Sequence, residues 1–388
     1  MKTLKTLIYA EVYRAVTFAA LGFLALFSFF DLVDDLGSIG RVAIGQPGVT
    51  YGLEHALLYV GFGVPWRLYQ LLPICVLIGT VFVLSRLAQS SEFTILRVSG
   101  LGPWLALRVM LVMGLVFVAI TFVAGDYLAP LGGKQQILLK AKFDGSVSAG
   151  RTGAWLKETR ANGNASVNVG AMNAQSGLER ISIFEFSKTG QLLQTITSAT
   201  ATIGDNNTWT LNTGEVRYYD QATPGPSDEA VLNPRGTTAR PQLHISSEPF
   251  KTMQWPTEIT ADMVSVAVLD PSSMRTLDLF QFINHLQANQ QSAQRYEIEF
   301  WRKLFYPLSC LVMVVLALPF AYLHFRSGGV AGYVFIGFLA GISFFLLNNV
   351  FGYIGNLNEW RPWVAAATPS LMYSVVSLGA FSWLVLRR

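Results

Sequence analysis

The chain has 388 residues, of which 52% are hydrophobic and 13% charged, and its formal net charge is +4. Soluble domains carry about one-quarter charged residues, so the composition excludes an ordinary water-soluble protein. The small positive balance gives no ground for nucleic-acid binding, and 2 cysteines exclude a disulfide framework.

Six apolar runs are long enough to cross a bilayer, which takes about 20 residues. They fall at 15–36, 57–84, 101–127, 300–324, 330–354 and 363–386. The first reads as an uncleaved anchor, because it is too long for a signal h-region and no cleavage site precedes Asp31, Asp34 and Asp35. Lys2, Lys5 and Arg14 precede that run, and Arg86, Arg97 and Arg108 surround the second connection. His324 and Arg326 fall between runs four and five, and Arg387 and Arg388 end the chain. The opposite loops carry the three aspartates, Glu54 and Glu359, with Arg41 and Arg361 as the few cations. The positive-inside rule then places both termini in the cytoplasm and the long excursion at 129–298 in the periplasm.

The second connection, "SRLAQSSEFTILRVSGLG", is a short polar interruption between two spans. Ser90 and Ser91 are candidate caps for a helix beginning at Glu92, whose carboxylate suits the positive end of the helix dipole. Phe93, Ile95 and Leu96 make an apolar patch beside Arg97, and Gly100 stops the helix. Two readings fit: a docking element for a soluble motor, or an interfacial helix lying in the headgroups.

Beyond residue 128 the texture changes. "ERISIFEFSKTGQLLQTITSATATIGDNNTWTLNTGEVRYYD" alternates apolar and polar residues with period two, placing Ile181, Ile183 and Phe186 inward. Trp155, Trp209 and Trp255 add core bulk, and the pattern predicts an antiparallel jelly-roll-like domain. "QATPGPSDEAVLNPRGTTARPQ" reads as a long loop. Leu277, Phe280, Ile283 and Leu286 then follow helical spacing, with Ser272 and Ser273 as candidate caps. The predicted organisation is an α-helical membrane protein of six spans with an inserted periplasmic all-β domain. Residues 1–128 hold three spans and the short helix near 90–100, residues 129–298 the β-domain and its returning surface helix, and residues 299–388 the last three spans.

No GxxxxGK[ST] phosphate loop is present; Lys134 in "LGGKQQ" lacks the spacing and the Ser/Thr. His55, His244, His285 and His324 are scattered, and no G-x-S-x-G elbow occurs, so no catalytic or metal site is read and the chain binds no cofactor of its own. Ionisable residues inside spans are costly. Arg67, Arg302 and Lys303 lie near the periplasmic ends of spans two and four; either they snorkel to the headgroups or they meet an anionic lipid. Phe23, Phe27 and Phe30 on span one, and Phe335, Phe338, Phe344 and Phe345 on span five, offer an apolar wall. Gly337 and Gly341 suit close helix packing, as do Asn348 and Asn349.

"LAQSSEFTILRVSG" resembles the short cytoplasmic segment of the LptF/LptG permeases, the transmembrane subunits of the lipopolysaccharide-export ABC transporter. The likeness continues at "ISIFEF" and at "WRKLFYPLSCLVMVVLALPF" and covers the whole chain in order; "RVSG" and "RKLFYPLS" look more like the G-type subunit. The resemblance implies that Ser91, Glu92, Phe93, Ile95, Leu96 and Arg97 form a coupling helix seated on a cytoplasmic ATPase. It implies as partners an F-type permease subunit, two copies of that ATPase carrying ATP and Mg, a single-span periplasmic bridge subunit and lipopolysaccharide. Phe27, Phe30, Arg41, Arg67, Arg302, Lys303 and Phe345 become candidate substrate contacts. Related permeases often carry lysines near the end of span one, where this chain has Asp31, Asp34 and Asp35. Arg41 and other cations take over, or divalent ions bridge, or a partner's basic residues meet the cluster. The rival from another class is a non-transporting scaffold that anchors an envelope complex.

Overall fold

The computed structural model describes residues 2–43, 48–90, 92–98, 100, 102–144, 147–148, 153–160, 163–172, 177–204, 208–221, 243–260, 263–264, 271–322 and 330–383. The predicted loop at 222–242, His324, Arg326, Arg387 and Arg388 lie outside them, and so does Ser91.

Helices α1 (Lys2–Asp35), α2 (Leu53–Gln89) and α4 (Pro103–Val123) give the first three spans, with the short α3 (Glu92–Val98) between the last two. Helix α4 does not end where the apolar run ends. It passes through one π turn at Ala124–Leu128 and continues as α5 (Ala129–Asp144), so residues 129–144 are helical and stay on the membrane body. Gln136 Nε2 on α5 donates to the Tyr59 carbonyl on α2 at 2.8 Å. After the sheet come α6 (Thr276–Ala288), α7 (Gln294–Phe305), α8 (Ser309–Ala317), α9 (Val330–Leu357) and α10 (Pro362–Phe381). Among the described residues, five helices are long and apolar enough to span a bilayer, and the bent pair made by Gln294–Phe305 and Ser309–Tyr322 gives a sixth when counted as one span. The bend is 46°. It falls at Pro307, whose missing N–H breaks the ladder.

Helix α2 is the axis of the helical body. Cys75, Val76, Leu77, Val81 and Leu84 are fully buried in it, and both cysteines are free thiols. Gly341 on α9 allows the close approach expected of it, since a Cβ there would meet Ile74 Cγ2 at 2.9 Å. Helix α1 and much of α9 stay on the outside: Phe18 is 82% exposed and Phe335 59%.

The inserted domain is one antiparallel sheet of β1 (Val147–Ser148), β2 (Ala154–Arg160), β3 (Gly163–Met172), β4 (Leu178–Ser187), β5 (Leu192–Gly204), β6 (Thr208–Gln221) and β7 (Leu243–Pro256). From β3 onward every strand lies beside its sequence neighbour, and β1 and β2 share the other edge of β3. Among the described residues this is a meander, and the crossovers that define a jelly roll are not among them. Short turns explain it: Ser187–Gln191 closes the β4–β5 hairpin, with Gly190 at φ +83. The sheet nevertheless folds over itself. Trp255 Nε1 donates to Glu185 Oε1 at 2.8 Å, and Arg160 donates to the Pro256 carbonyl at 2.5 Å, so the end of β7 sits over β2 and β4.

The core of that domain corrects two readings from the sequence and gives the returning helix its direction. Trp209 and Trp255 are buried, but Trp155 is 51% exposed, because the register of β2 turns Leu156 inward and Trp155 outward onto Phe184. Ile181 and Ile183 are buried, while Phe186 follows a bulge at Glu185 and is only partly covered. On α6 the buried face is Leu279, Phe282, Ile283 and Leu286, and Leu277 and Phe280 face outward. Phe282, Ile283 and Leu286 join the sheet core, so α6 clamps the domain.

Candidate functional site

Two ends of the helical body carry the polar side chains of interest. At the end that bears the sheet, α1, α2 and α5 enclose a cavity of about 320 Å³. Its polar lining includes Asp31, Asp34, Asp35, Arg67 and Lys140. Arg67 makes a two-toothed contact with Asp31, Nε to Oδ2 at 2.9 Å and Nη2 to Oδ1, and its guanidinium lies 5.6 Å from the centre of the Phe27 ring. Asp35 is buried at 3% exposure; Tyr51 Oη donates to its Oδ2 at 2.5 Å, and Lys140 Nζ lies 2.9 Å from its Oδ1. The lysine contact is off the hydrogen-bonding axis, so it neutralises the carboxylate more than it satisfies it. The same ammonium lies 4.7 Å from the centre of the Tyr59 ring.

Asp31 and Asp35 are therefore met by this chain's own Arg67 and Lys140. Asp34 is exposed at the rim. No group of three or more metal-ligating side chains converges among the described residues. Sequence reasoning missed Lys140, because the apolar run ends at 127 and the chain from 129 onward reads as the periplasmic excursion. The apolar spacing of Ile137, Leu138 and Ala141 is the signal that continued it.

The remaining candidate substrate residues do not gather in one place. Phe30 is 53% exposed on α1, Arg41 is exposed beyond it, and Phe345 is half-buried on α9. Arg302 donates to Asn349 Oδ1 and lies 3.5 Å from Glu299, which ties α7 to α9. Lys303 is 3% exposed, with its ammonium on the carbonyls of Gly125 and Met274. Of the proposed aromatic wall, Phe23 stacks on Phe338 at 6.2 Å, whereas Phe344 is fully buried against Tyr306 and Tyr373.

At the opposite end, α3 returns against the body. Ser90 Oγ donates to the Leu87 carbonyl at 3.3 Å, so it closes α2. Phe93 is 2% exposed and meets Tyr322 edge-on at 5.1 Å, and Arg97 places its guanidinium 5.0 Å from the centre of the same ring. The apolar patch read from the sequence thus has two directions. Phe93 anchors α3 to the end of span four, while Glu92 is exposed and Ile95 and Val98 are 64% and 86% exposed. The side chain of Leu96 lies outside the described residues. Near this end, α1 and α2 flank an apolar groove of about 680 Å³, with Glu11, Arg14 and Arg86 at its mouth and Val334 of α9 on its wall.

A family model for the lipopolysaccharide export system permease LptF/LptG matches residues 7–387. The chain belongs to this family. Its relatives include the lipopolysaccharide export system permease protein LptG of Escherichia coli K12, 26% identical over 342 residues, covering 87% of each chain. The LptG protein of Haemophilus influenzae is 24% identical over 391 residues, covering 100% of this chain and 99% of the relative. Membership makes the apolar helices those of a multi-pass inner-membrane permease, and it fits a transporter subunit rather than an enzyme.

Proposed function

We propose that this chain is the G-type permease subunit of an ATP-driven lipopolysaccharide exporter, with α3 and both termini in the cytoplasm and the sheet in the periplasm. The observation that carries the reading is the form of α3, together with the whole-chain family match. A helix pinned by Phe93 but presenting Glu92, Ile95 and Val98 outward suits a partner that moves it as a lever. That partner is a cytoplasmic ATPase present in two copies, which holds ATP and Mg; this chain holds no cofactor. The exposed apolar faces of α1 and α9 suit an F-type subunit, and the outer edge of β7, unpaired among the described residues, suits strand addition by a single-span bridge subunit. Lipopolysaccharide enters from the outer leaflet with its acyl chains against Phe27, Phe30 and Phe345. Its anionic head meets Arg41, Arg67 and Arg302, with Lys303 acting from behind through the backbone. ATP binding drives α3, the groove beside α1 narrows, and the lipid is pushed toward the sheet.

Purification from the native membrane tests this. The wild-type chain is expected to retain an ATPase and lipopolysaccharide, and Glu92→Lys to lose the ATPase while the membrane part stays folded. Reversing a partly buried charge at such an interface costs about 2–5 kcal/mol. Full retention of the ATPase by Glu92→Lys sinks the docking role, and a wild-type chain that retains neither partner leaves a scaffold.

A further inference from the structure

The π turn at Ala124–Leu128 has a specific chemical consequence. The Ala129 N–H donates five residues back to the Ala124 carbonyl. The next residue, Pro130, has no N–H. The Gly125 carbonyl is thus left without a helical donor in a buried position, where a missing hydrogen bond is costly. Lys303 supplies it. Its Nζ, brought in by α7, lies 3.3 Å from the Gly125 carbonyl oxygen and donates also to the Met274 carbonyl. Gly125 is needed for the fit, since a Cβ there would meet the Tyr69 ring at 2.3 Å.

The same turn aims Asp126 the other way. Its Oδ1 accepts from the Thr276 N–H at 2.7 Å and from Thr276 Oγ1 at 2.5 Å, capping the start of α6. The cap thus comes from another element of the chain, beside Asp278 of α6 itself, which accepts from the Arg275 N–H at 3.4 Å. Three segments meet here: the end of span three, the entry to α6, and the first half of the broken span four. Helix α6 buries Phe282, Ile283 and Leu286 in the sheet core, and Tyr296 near the start of α7 packs on that core too. The helical pair α6–α7 therefore carries the sheet, and Lys303 and Asp126 hold that pair to the membrane body.

We propose that Lys303 and Asp126 are positioning residues for export: a latch that holds the sheet domain at one place over the membrane body, so that lipid leaving the helices meets the sheet. The export part rests on the permease reading above; the latch itself is measurable without it. A chain labelled with nitroxides at Glu54→Cys on α2 and Lys188→Cys in the β4–β5 turn reports the distance between the two parts by pulsed electron resonance. Both native cysteines are buried and leave little background. The parent is expected to show one narrow distance distribution in nanodiscs. Lys303→Met should broaden or shift it, Lys303→Arg should restore it, and Thr276→Val should broaden it without touching the buried lysine. Asp126→Asn keeps an acceptor oxygen and should stay close to the parent.

In proteoliposomes holding the assembled exporter, Lys303→Met should lower lipopolysaccharide release on the order of tenfold, the effect of leaving buried carbonyls unmet. Its ATP hydrolysis should stay near that of the parent. Narrow parent-like distributions in both Lys303→Met and Thr276→Val overturn the latch. A broadened distribution with unchanged release overturns its role in export. No release from the parent itself removes the permease reading while the distance result still decides the latch.

Discussion

The two ends of the helical body treat charge in opposite ways. At the sheet end, Asp31 and Asp35 are each matched inside the chain, by Arg67 and Lys140, and Asp35 is almost fully buried. At the α3 end, the one ion pair among the described residues is loose: Arg86 lies 3.5 Å from Glu11, and the arginine side chain is 60% exposed. Glu92 and Arg14 face outward there. The difference teaches which end is complete in itself. A buried ion is tolerated only with its counter-ion in place, so the sheet end is a finished platform. Exposed charges cost little alone, so the α3 end is free to be completed by another molecule.

The largest expected effect comes from breaking the finished end. Lys140→Met leaves the buried Asp35 carboxylate uncompensated and should cost about 3–5 kcal/mol, read as a lower thermal midpoint in detergent. Adding Asp35→Asn removes the orphan charge and should recover most of that loss. Arg86→Met, the matching change at the other end, should cost under about 1 kcal/mol. Equal losses from Lys140→Met and Arg86→Met would erase the contrast.

Next in size is Phe93→Ala. Full burial of a phenylalanine contributes about 1.5–3 kcal/mol, and here the loss falls on the attachment of one short helix. Amide exchange in α3 should accelerate while α2 stays protected. If the ATPase docks on the outward face, it should remain bound to this variant while hydrolysis no longer drives lipid release. Loss of binding with α3 still protected would mean that Phe93 touches the partner and not Tyr322.

The smallest effect is one of pH and concerns the sheet domain alone. Burial pushes the His285 pKa below its ordinary value of 6.5, and among the described residues its Nε2 has no hydrogen-bond partner. The unfolded chain then binds a proton more readily than the folded one, so stability falls as pH drops below about 6.5. His285→Asn should flatten the dependence of the sheet's unfolding midpoint between pH 7 and pH 5, which calorimetry of the full chain can read. An unchanged slope would assign the pH response to other groups.

Much of the architecture is legible in the sequence because bilayer and sheet impose one-dimensional periods. Runs of about 20 apolar residues point to spans, and period-two stretches such as 180–186 to strands; among the described residues five spans, a sixth when the bent pair counts as one, and the strands appear where those patterns put them. The segment around Glu92 is legible as a helix because it is local, with an acidic first turn and a glycine stop. Patterns of this kind state that a side chain is apolar or charged. They do not state what it faces. Phe93 reads as part of an outward patch, and Trp155 as core, because periodicity cannot resolve the direction of a single residue in a short element.

Tertiary structure alone decided the pairings. Arg67 finds Asp31 across 36 residues, Lys140 finds Asp35 across 105, and Lys303 finds Gly125 across 178. No local signal marks such partners, since the need for each arises only when packing excludes water. A lysine within a span reads as a lipid contact until a neighbouring helix shows a carbonyl without a donor. Pro130 is visible in the chain as a breaker, yet the helix runs on through a π turn, with Lys303 donating to the Gly125 carbonyl and Tyr69 of α2 packed against Gly125. The sequence by itself determined which segments lie in lipid and which form sheet, through apolar length and alternation; only the fold decided which charges would be hidden, because desolvation is a property of neighbours in space.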